Sequence, residues 1–281
     1  MTPIQALILA IIQGVTELFP VSSLGHAVLV PALLHWRLNE SDPLFLPFLT
    51  MLHFGTFIAL LLVFAKDWIA IFGGATGRYG RFRQEQSVRI LLLLIVATVP
   101  LVVVGAALEH PLRALFGSPI FVAFFLILNG SLLIVTEWLR SHKGRQRQRS
   151  IADMSIRDAV IIGIWQCLAF LPGISRSGVT MNGGLLRGLD HETSARFSFL
   201  LAQPAVLAAT VHEAFQLRHV AVPHAVIVQS AIAAVVAGVT ALISTLLLLR
   251  YFHNHDRWAL SPFAIYCVAA GVVSLVSLTI L

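Results

Sequence analysis

Charge is what this sequence has least of: Asp, Glu, Lys and Arg make up 11% of its 281 residues, against 58% apolar. A chain so poor in charge, with apolar runs near twenty residues long, has the bilayer as its expected solvent, which sets aside a water-soluble domain. Cysteine is scarce too. The two present, Cys167 and Cys267, both lie in apolar segments. Two such residues make neither a disulfide framework nor a cysteine-based metal site, so they read as packing residues. The first apolar run lacks a basic leader and a small-residue cleavage pattern and carries Gln13 and Glu17, so it is expected to stay in the mature chain. The net charge of +6 need not report an acidic partner, because basic residues in membrane proteins more often report topology.

What is present is a set of spanning segments. Six stretches, 44–65, 88–108, 119–139, 196–213, 225–249 and 259–281, are 18 to 25 residues long, against about 20 needed by a spanning helix. Two further apolar regions are interrupted, 3–36 by Pro20 and its polar neighbours and 158–190 by "LPGISRSG". Each is either a broken span or a re-entrant hairpin. If both turn back, the loops at 66–89, 140–157, 187–196 and 250–258 share one side and hold 15 of the 19 Lys and Arg, with Arg37, Arg113 and Arg218 opposite and Arg176 in the membrane. If both cross, the split falls to 12 against 6, a poorer fit to the positive-inside rule. The expected fold is therefore an all-α polytopic membrane protein with six transmembrane helices and two re-entrant helical hairpins. The run "RSHKGRQRQRS", Arg140–Ser150, reads as a cytoplasmic linker and not as a nucleic-acid patch.

That linker divides one integral membrane domain, 1–281, into halves at 1–139 and 158–281, with 140–157 between them. "ALILAIIQ", Ala6–Gln13, aligns with "AVIIGIWQ", Ala159–Gln166, and each precedes a proline and a Gly/Ser-rich break. The charge count places the ends of the two hairpins on opposite sides, the relation expected of an inverted-topology repeat. Two breaks meeting near the midplane would bring together half-helix N-termini, which favour an anion.

Few ionisable groups sit at membrane depth in this arrangement: Glu17, Arg176 and, more loosely, His26 and His53. A charge there is normally paired, solvated or functional. "PGISRSGVT", Pro172–Thr180, sets Ser175, Ser177 and Thr180 around Arg176, the components of a phosphate cradle. In the first break, Gln13 and Glu17 share a helix face at i, i+4, and Ser22, Ser23 and His26 follow Pro20. A hydroxyl, an imidazole and a carboxylate are the parts needed to activate a nucleophile or move a proton. The bland alternatives are a salt bridge pinning the hairpins and hydroxyls bonded back to their own helices.

An "(E/Q)xxxE" helix leading into "PVSSxGH", paired with a later "PGxSRSxxT", resembles the undecaprenyl-diphosphate phosphatase family, bacterial membrane enzymes associated with bacitracin resistance. "FSFLLAQP" at Phe197–Pro204 and "PFAIY" at Pro262–Tyr266 extend the likeness over most of the chain. The resemblance implies hydrolysis of a C55 isoprenyl diphosphate to the monophosphate and inorganic phosphate, which recycles the lipid carrier of cell-wall synthesis. It also implies the six-span, two-re-entrant architecture in the bacterial cytoplasmic membrane, with the active site open to the periplasm. By motif position the acidic pair falls on Gln13 and Glu17, the serine and histidine on Ser23 and His26, and the phosphate signature on Ser175, Arg176, Ser177 and Thr180. Gln13 departs from the glutamate of other members, and an amide brings no charge to a hard cation.

On that basis Arg176 with Ser22, Ser175, Ser177 and Thr180 is expected to hold the terminal phosphate. Ser23 is the expected nucleophile with His26 as its base, and attack by water is the variant. Glu17 is expected to orient His26 or to help hold Mg²⁺ or Ca²⁺ on the diphosphate, with Gln13 and His53 as accessory candidates. The isoprenyl tail would enter sideways from the lipid. A lipid-phosphate transporter or flippase using the same anion site is the rival reading, and homo-oligomerisation is left open.

Overall fold

The computed structural model describes residues 1–36, 45–116, 118–142, 149–217 and 223–280. Among them are eleven α-helices, two 3-10 turns and no strand. Arg37, Lys143, Arg145, Arg147 and Arg218 of the charge count lie outside the described residues. Five helical stretches are long and apolar enough to cross a bilayer: Arg81–Ala107 within α5 (Arg81–Phe116), α6 (Pro119–Ser141), His191–His212 within α9 (His191–Leu217), α10 (His224–Asn254) and α11 (Ser261–Ile280). α3 (Phe45–Val63) and α4 (Ala65–Ala75) supply a sixth if taken as one span, although the chain bends by 65° between them. The chain is a multi-pass membrane protein.

One expected loop is helix. Residues 66–89, read from sequence as a polar connection, hold α4 and the first turns of α5. α4 has 11 residues, a length of about 16 Å that cannot span, yet it buries Ile71. It is moored to α9, where Asp67 meets Arg196 at 3.1 Å and Trp68 Nε1 donates to Gln203 Oε1 at 2.8 Å.

Both interrupted regions break into short helices. α1 (Pro3–Thr16) and α2 (Ser23–Leu33) come from the first; α7 (Ile156–Gln166), a 3-10 turn at Cys167–Phe170 and α8 (Arg176–Leu186) come from the second. At 11 to 14 residues each, these helices are about 16–21 Å long, well short of the ~30 Å hydrocarbon layer. Local sequence starts and stops them. Thr2 and Gln5 form a capping box on α1 with Pro3 in the first turn, and Ser155 and Asp158 form one on α7. At the first break Ser22 takes φ +68°, and at the second Gly173 takes φ +105° with the carbonyl of Val122 where a Cβ would go. α1 packs along α10, α7 packs along α5, and α6 and α11 lie side by side behind the breaks.

Polar contacts gather the basic loops at one end of the bundle. Arg149 bonds Asp158 at 2.9 Å and the Arg187 carbonyl at 2.7 Å, Arg187 Nε bonds Asp158 at 2.6 Å, and Arg89 reaches the Met154 carbonyl at 2.9 Å. Nearby, Arg140 bonds Asp256 at 2.8 Å, and His191 lies 3.0 Å from Asp256 and 2.7 Å from Glu137, which also accepts the Leu260 amide at 2.7 Å. Burial alone would raise the Asp256 carboxyl, but hydrogen bonds from His191 and Arg140 outweigh it and hold the group well below the usual carboxylate range. Glu137 and Asp158 are both buried, each within this polar end of the bundle.

The two breaks are joined through α6. Asn129, 1% exposed, donates from Nδ2 to the Pro20 carbonyl at 2.9 Å and accepts the Ser175 amide on Oδ1 at 3.0 Å. One amide side chain thus satisfies an orphan acceptor in the first break and an orphan donor in the second. Asn129→Leu should leave both unpaired and destabilise the protein by about 2–6 kcal/mol, taking roughly 1–3 for each group. Thermal unfolding in detergent is the measurement. An unchanged melting temperature would mean that the breaks are held together by other contacts.

Candidate active site

Glu17 caps the C-terminus of the first half-helix, α1, and its two carboxylate oxygens divide their partners. Oε1 accepts Arg176 Nη2 at 3.0 Å, across the two breaks. Oε2 accepts the Ser23 hydroxyl at 2.6 Å and the Gln13 amide at 2.9 Å. The i, i+4 spacing read from the sequence therefore does bring Gln13 onto Glu17. His53, from α3, completes the group: its Nδ1 lies 3.1 Å from Gln13 Nε2 and 3.6 Å from Glu17 Oε2. With the Glu17 side chain 6% exposed and that of Arg176 19% exposed, the pair is shielded enough that removing one partner would strand the other.

The structure does not join Ser23 to His26. His26 points away from the serine, with Nδ1 2.7 Å from the Ser22 carbonyl and Nε2 2.7 Å from the Tyr266 hydroxyl. Its ring stacks on Tyr266 with an interplanar angle of 7°. A carbonyl can only accept, so Nδ1 carries the proton and Nε2 accepts from the tyrosine. The reason is geometric: His26 sits on the turn of α2 that faces α11, whereas Ser23 faces the end of α1. Tyr266 was quoted in the sequence within "PFAIY" but given no role, because its partner lies 240 residues away.

All four of the expected cradle hydroxyls turn to partners within the protein. Ser175 and Ser177 bond each other at 2.9 Å and both reach the Phe19 carbonyl, at 3.4 and 3.1 Å, while Ser175 also caps the Gly178 amide. Thr180 donates to the Arg176 carbonyl and accepts from Ser198 at 3.1 Å. Ser22 caps the Gly25 amide at 3.2 Å. These side chains satisfy backbone groups that the breaks expose, the structural alternative weighed for them from sequence. Ser175 still contributes to the wall of the cavity; Ser177 and Thr180 do not.

That cavity, about 400 Å³, is bounded by Glu17, Ser22, Ser23, His53, Ser175 and Arg176 on its polar side. Its remaining walls are largely apolar, including Leu101, Phe170 and Val206. The first turns of α2 and α8 both border it, and such turns carry amides without intrahelical acceptors and the positive end of the helix dipole. An anion in the cavity would meet a guanidinium, a hydroxyl and two helix N-termini, with a carboxylate 2.6 Å from the hydroxyl placed to take its proton. Among the described residues no group of three or more His, Cys, Asp or Glu is arranged to hold a metal ion. The donor set, one carboxylate with hydroxyls, fits a hard cation only if phosphate oxygens supply further ligands.

Comparison with known proteins bears on the same residues. Curated relatives include the undecaprenyl-diphosphatase of Gluconobacter oxydans (strain 621H), 66% identical over 272 residues and covering 97% of each chain. That of Gluconacetobacter diazotrophicus is 61% identical over 274 residues, 98% of this chain and 96% of the relative. The undecaprenyl-diphosphatase of Mycolicibacterium paratuberculosis is 40% identical over 305 residues, 99% of this chain and 97% of its own. A family described as bacitracin resistance protein BacA matches residues 6–273, a stretch that holds both breaks and every side chain bordering the cavity. By that match and those identities, the chain belongs to the bacitracin resistance protein BacA family.

Proposed function

We propose that the protein is a membrane phosphatase that hydrolyses undecaprenyl diphosphate to undecaprenyl phosphate and inorganic phosphate, recycling the lipid carrier of cell-wall synthesis. The observation that carries this is the Glu17 carboxylate holding Ser23 at 2.6 Å and Arg176 at 3.0 Å on the rim of one cavity. Relatives matching nearly the whole chain are named for the same activity. The lipid-phosphate transporter reading uses the same anion site, but it gives no task to a hydroxyl hydrogen-bonded to a carboxylate.

In this reading the terminal phosphate takes Arg176 from Glu17, because a planar two-pronged donor matches phosphate oxygens, and the half-helix N-termini share its charge. Ser23 Oγ attacks the terminal phosphorus and its proton passes to Glu17 Oε2. The bond from that phosphorus to the bridging oxygen breaks, and undecaprenyl phosphate departs with the proton. Water then attacks the phosphoserine, and Glu17 takes its proton and returns it to Ser23 as inorganic phosphate leaves. The base is thus Glu17, and His26, expected from sequence in that role, becomes a positioning residue that holds the Ser22 carbonyl and hence the start of α2. Gln13 and His53 keep the carboxylate aimed at the serine. A divalent cation, Mg²⁺ or Ca²⁺, would be held by Glu17 together with diphosphate oxygens and would neutralise charge on the substrate.

The same proposal covers the arrangement in the membrane. The halves 1–139 and 158–281 form an inverted-topology repeat around the linker 140–157, with α1–α2 and α7–α8 as re-entrant hairpins. Six spans complete it, counting the bent α3–α4 pair as one. The exchange of partners, α1 with α10 and α7 with α5, supports this. The basic end faces the cytoplasm of a bacterial inner membrane, and the cavity serves the periplasmic side.

Purified protein in detergent should release phosphate from undecaprenyl diphosphate; binding without release would favour the transporter. Arg176→Lys should lower turnover about 10²-fold or more, because an ammonium cannot replace the fork. Near-full activity would reduce Arg176 to a counter-charge. Ser23→Ala and Glu17→Gln should each cost about 10²–10⁴-fold in kcat, and the double variant should be no worse than the worse single one. Robust turnover by Ser23→Ala would make water the nucleophile. For topology, a reporter inserted at Lys143 should read cytoplasmic and one at the C-terminus periplasmic. A cytoplasmic C-terminus would break the inverted repeat.

A further inference from the structure

The turn between α4 and α5 holds the two helices close. Gly77 and Gly80 both take positive φ, +79° and +87°, so the chain reverses within a few residues. Behind the turn a Cβ on Gly74 would run into the Ser87 hydroxyl, so α5 returns with Ser87 against α4. Gln84 Nε2 donates to the Ala75 carbonyl at 3.3 Å and pins the start of α5 there. Between this pair, Ile151 of the linker and Leu200 of α9 lies a cavity of about 600 Å³, at the end of the bundle where the basic loops gather. None of its walls belongs to the cavity around Arg176.

The polar side of this cavity is positively charged and unsatisfied. Arg89, Arg140, Arg149, Arg187 and Arg196, at the same end, all bond protein oxygens. Lys66 and Arg83, which border the cavity, differ: among the described residues neither side chain has a hydrogen-bond or ion partner. Ser87 borders it too and is 8% exposed, and its hydroxyl likewise has no partner among those residues. The carboxylate on the wall, Asp67, is already engaged by Arg196 at 3.1 Å. Two cations and a buried hydroxyl around one space call for an acceptor that carries negative charge on several oxygens.

The rim selects the source of that acceptor. α4 leaves the direction of α3 by 65°, the attitude of a helix that lies in the membrane interface. Ile69, Phe72 and Phe82 around it are 64%, 56% and 72% exposed, and Phe72 stacks on Trp68 with ring centroids 5.4 Å apart. Aromatic and basic residues together at the end of a span mark the headgroup level of a bilayer. The rest of the cavity wall is apolar and includes Ile71, Ile90 and Leu200.

We propose that this cavity binds the phosphodiester headgroup of an anionic glycerophospholipid from the leaflet at the basic end, with Lys66 and Arg83 on its phosphate oxygens and Ser87 donating to one of them. A soluble phosphate ion would satisfy the same donors but would leave the exposed Ile69, Phe72 and Phe82 without a partner. The site lies apart from the phosphatase reading and does not depend on it.

Native mass spectrometry of the full chain in neutral detergent, titrated with phosphatidylglycerol or with phosphatidylcholine, is the test. The unsubstituted protein should bind phosphatidylglycerol about tenfold or more tightly than phosphatidylcholine. Lys66→Gln combined with Arg83→Gln should weaken phosphatidylglycerol binding about tenfold and leave phosphatidylcholine binding unchanged. Ala70→Phe, which fills the cavity and keeps both cations, should have the same effect. Arg257→Gln, which removes a charge from the loop between α10 and α11, should not. Melting in lipid-free detergent checks that each variant is folded, and if the double variant is not, Ala70→Phe decides. Equal affinity for the two lipids, or full phosphatidylglycerol binding by either folded cavity variant, would overturn the proposal. Inorganic phosphate that displaces phosphatidylglycerol would assign the cavity to a soluble anion and would overturn it as well. Phosphate release from undecaprenyl diphosphate is not the readout, so a failure of the phosphatase reading leaves this test intact.

Discussion

The structure depends on the clamp between two broken helices. Glu17 ends one half-helix and Arg176 begins another, and their 3.0 Å contact is surrounded by bonds that need both breaks in place. Asn129 spans Pro20 and Ser175, and the hydroxyls of Ser175 and Ser177 take the Phe19 carbonyl. In a bilayer every freed backbone group must find a protein partner, and here α6, the opposite break and the breaks' own serines supply those partners. The ion pair alone is weak evidence of stability, given the cost of desolvating both charges. In the proposed mechanism its value is that it holds a cation and a carboxylate that an anionic substrate separates.

The two breaks are built alike but carry different side chains. Each break ends in a serine that caps the following turn, Ser22 on Gly25 and Ser175 on Gly178, both at 3.2 Å. Only the first adds a second serine bonded to a carboxylate, and only the second places an arginine at the first helical position. The backbone differs accordingly: Ser22 holds a positive φ that costs a non-glycine residue of order 1–3 kcal/mol, whereas Ser175 is extended at φ −82°. His26 and Tyr266 brace the strained side through the Ser22 carbonyl.

Much of this was legible in the chain. The all-helical membrane character, the places where spans are interrupted and the choice of Glu17, Ser23 and Arg176 as candidates followed from composition, proline and glycine positions and the few ionic groups in apolar segments. The partners did not follow. Ser23 and His26 are three residues apart and read as a pair, but in the first turn of α2 they reach different neighbours, Glu17 and Tyr266. The hydroxyls of Ser177 and Thr180 read as ligands because a sequence shows donors without showing which backbone carbonyls stand nearby. Asn129, Glu137 and Tyr266 gave no local signal, since what they bond lies from 46 to 240 residues away in the chain.

What the sequence by itself determined is the solvent, the helices and the chemical inventory, because hydropathy, helix length and residue type are local properties. Only the tertiary structure decided which of those groups meet. The pairing of Glu17 with both Ser23 and Arg176 and the removal of His26 to Tyr266 depend on how helices distant in the chain approach one another. That approach is set by small residues at crossings and by the requirement that buried polar groups find partners, neither of which is carried by a single segment.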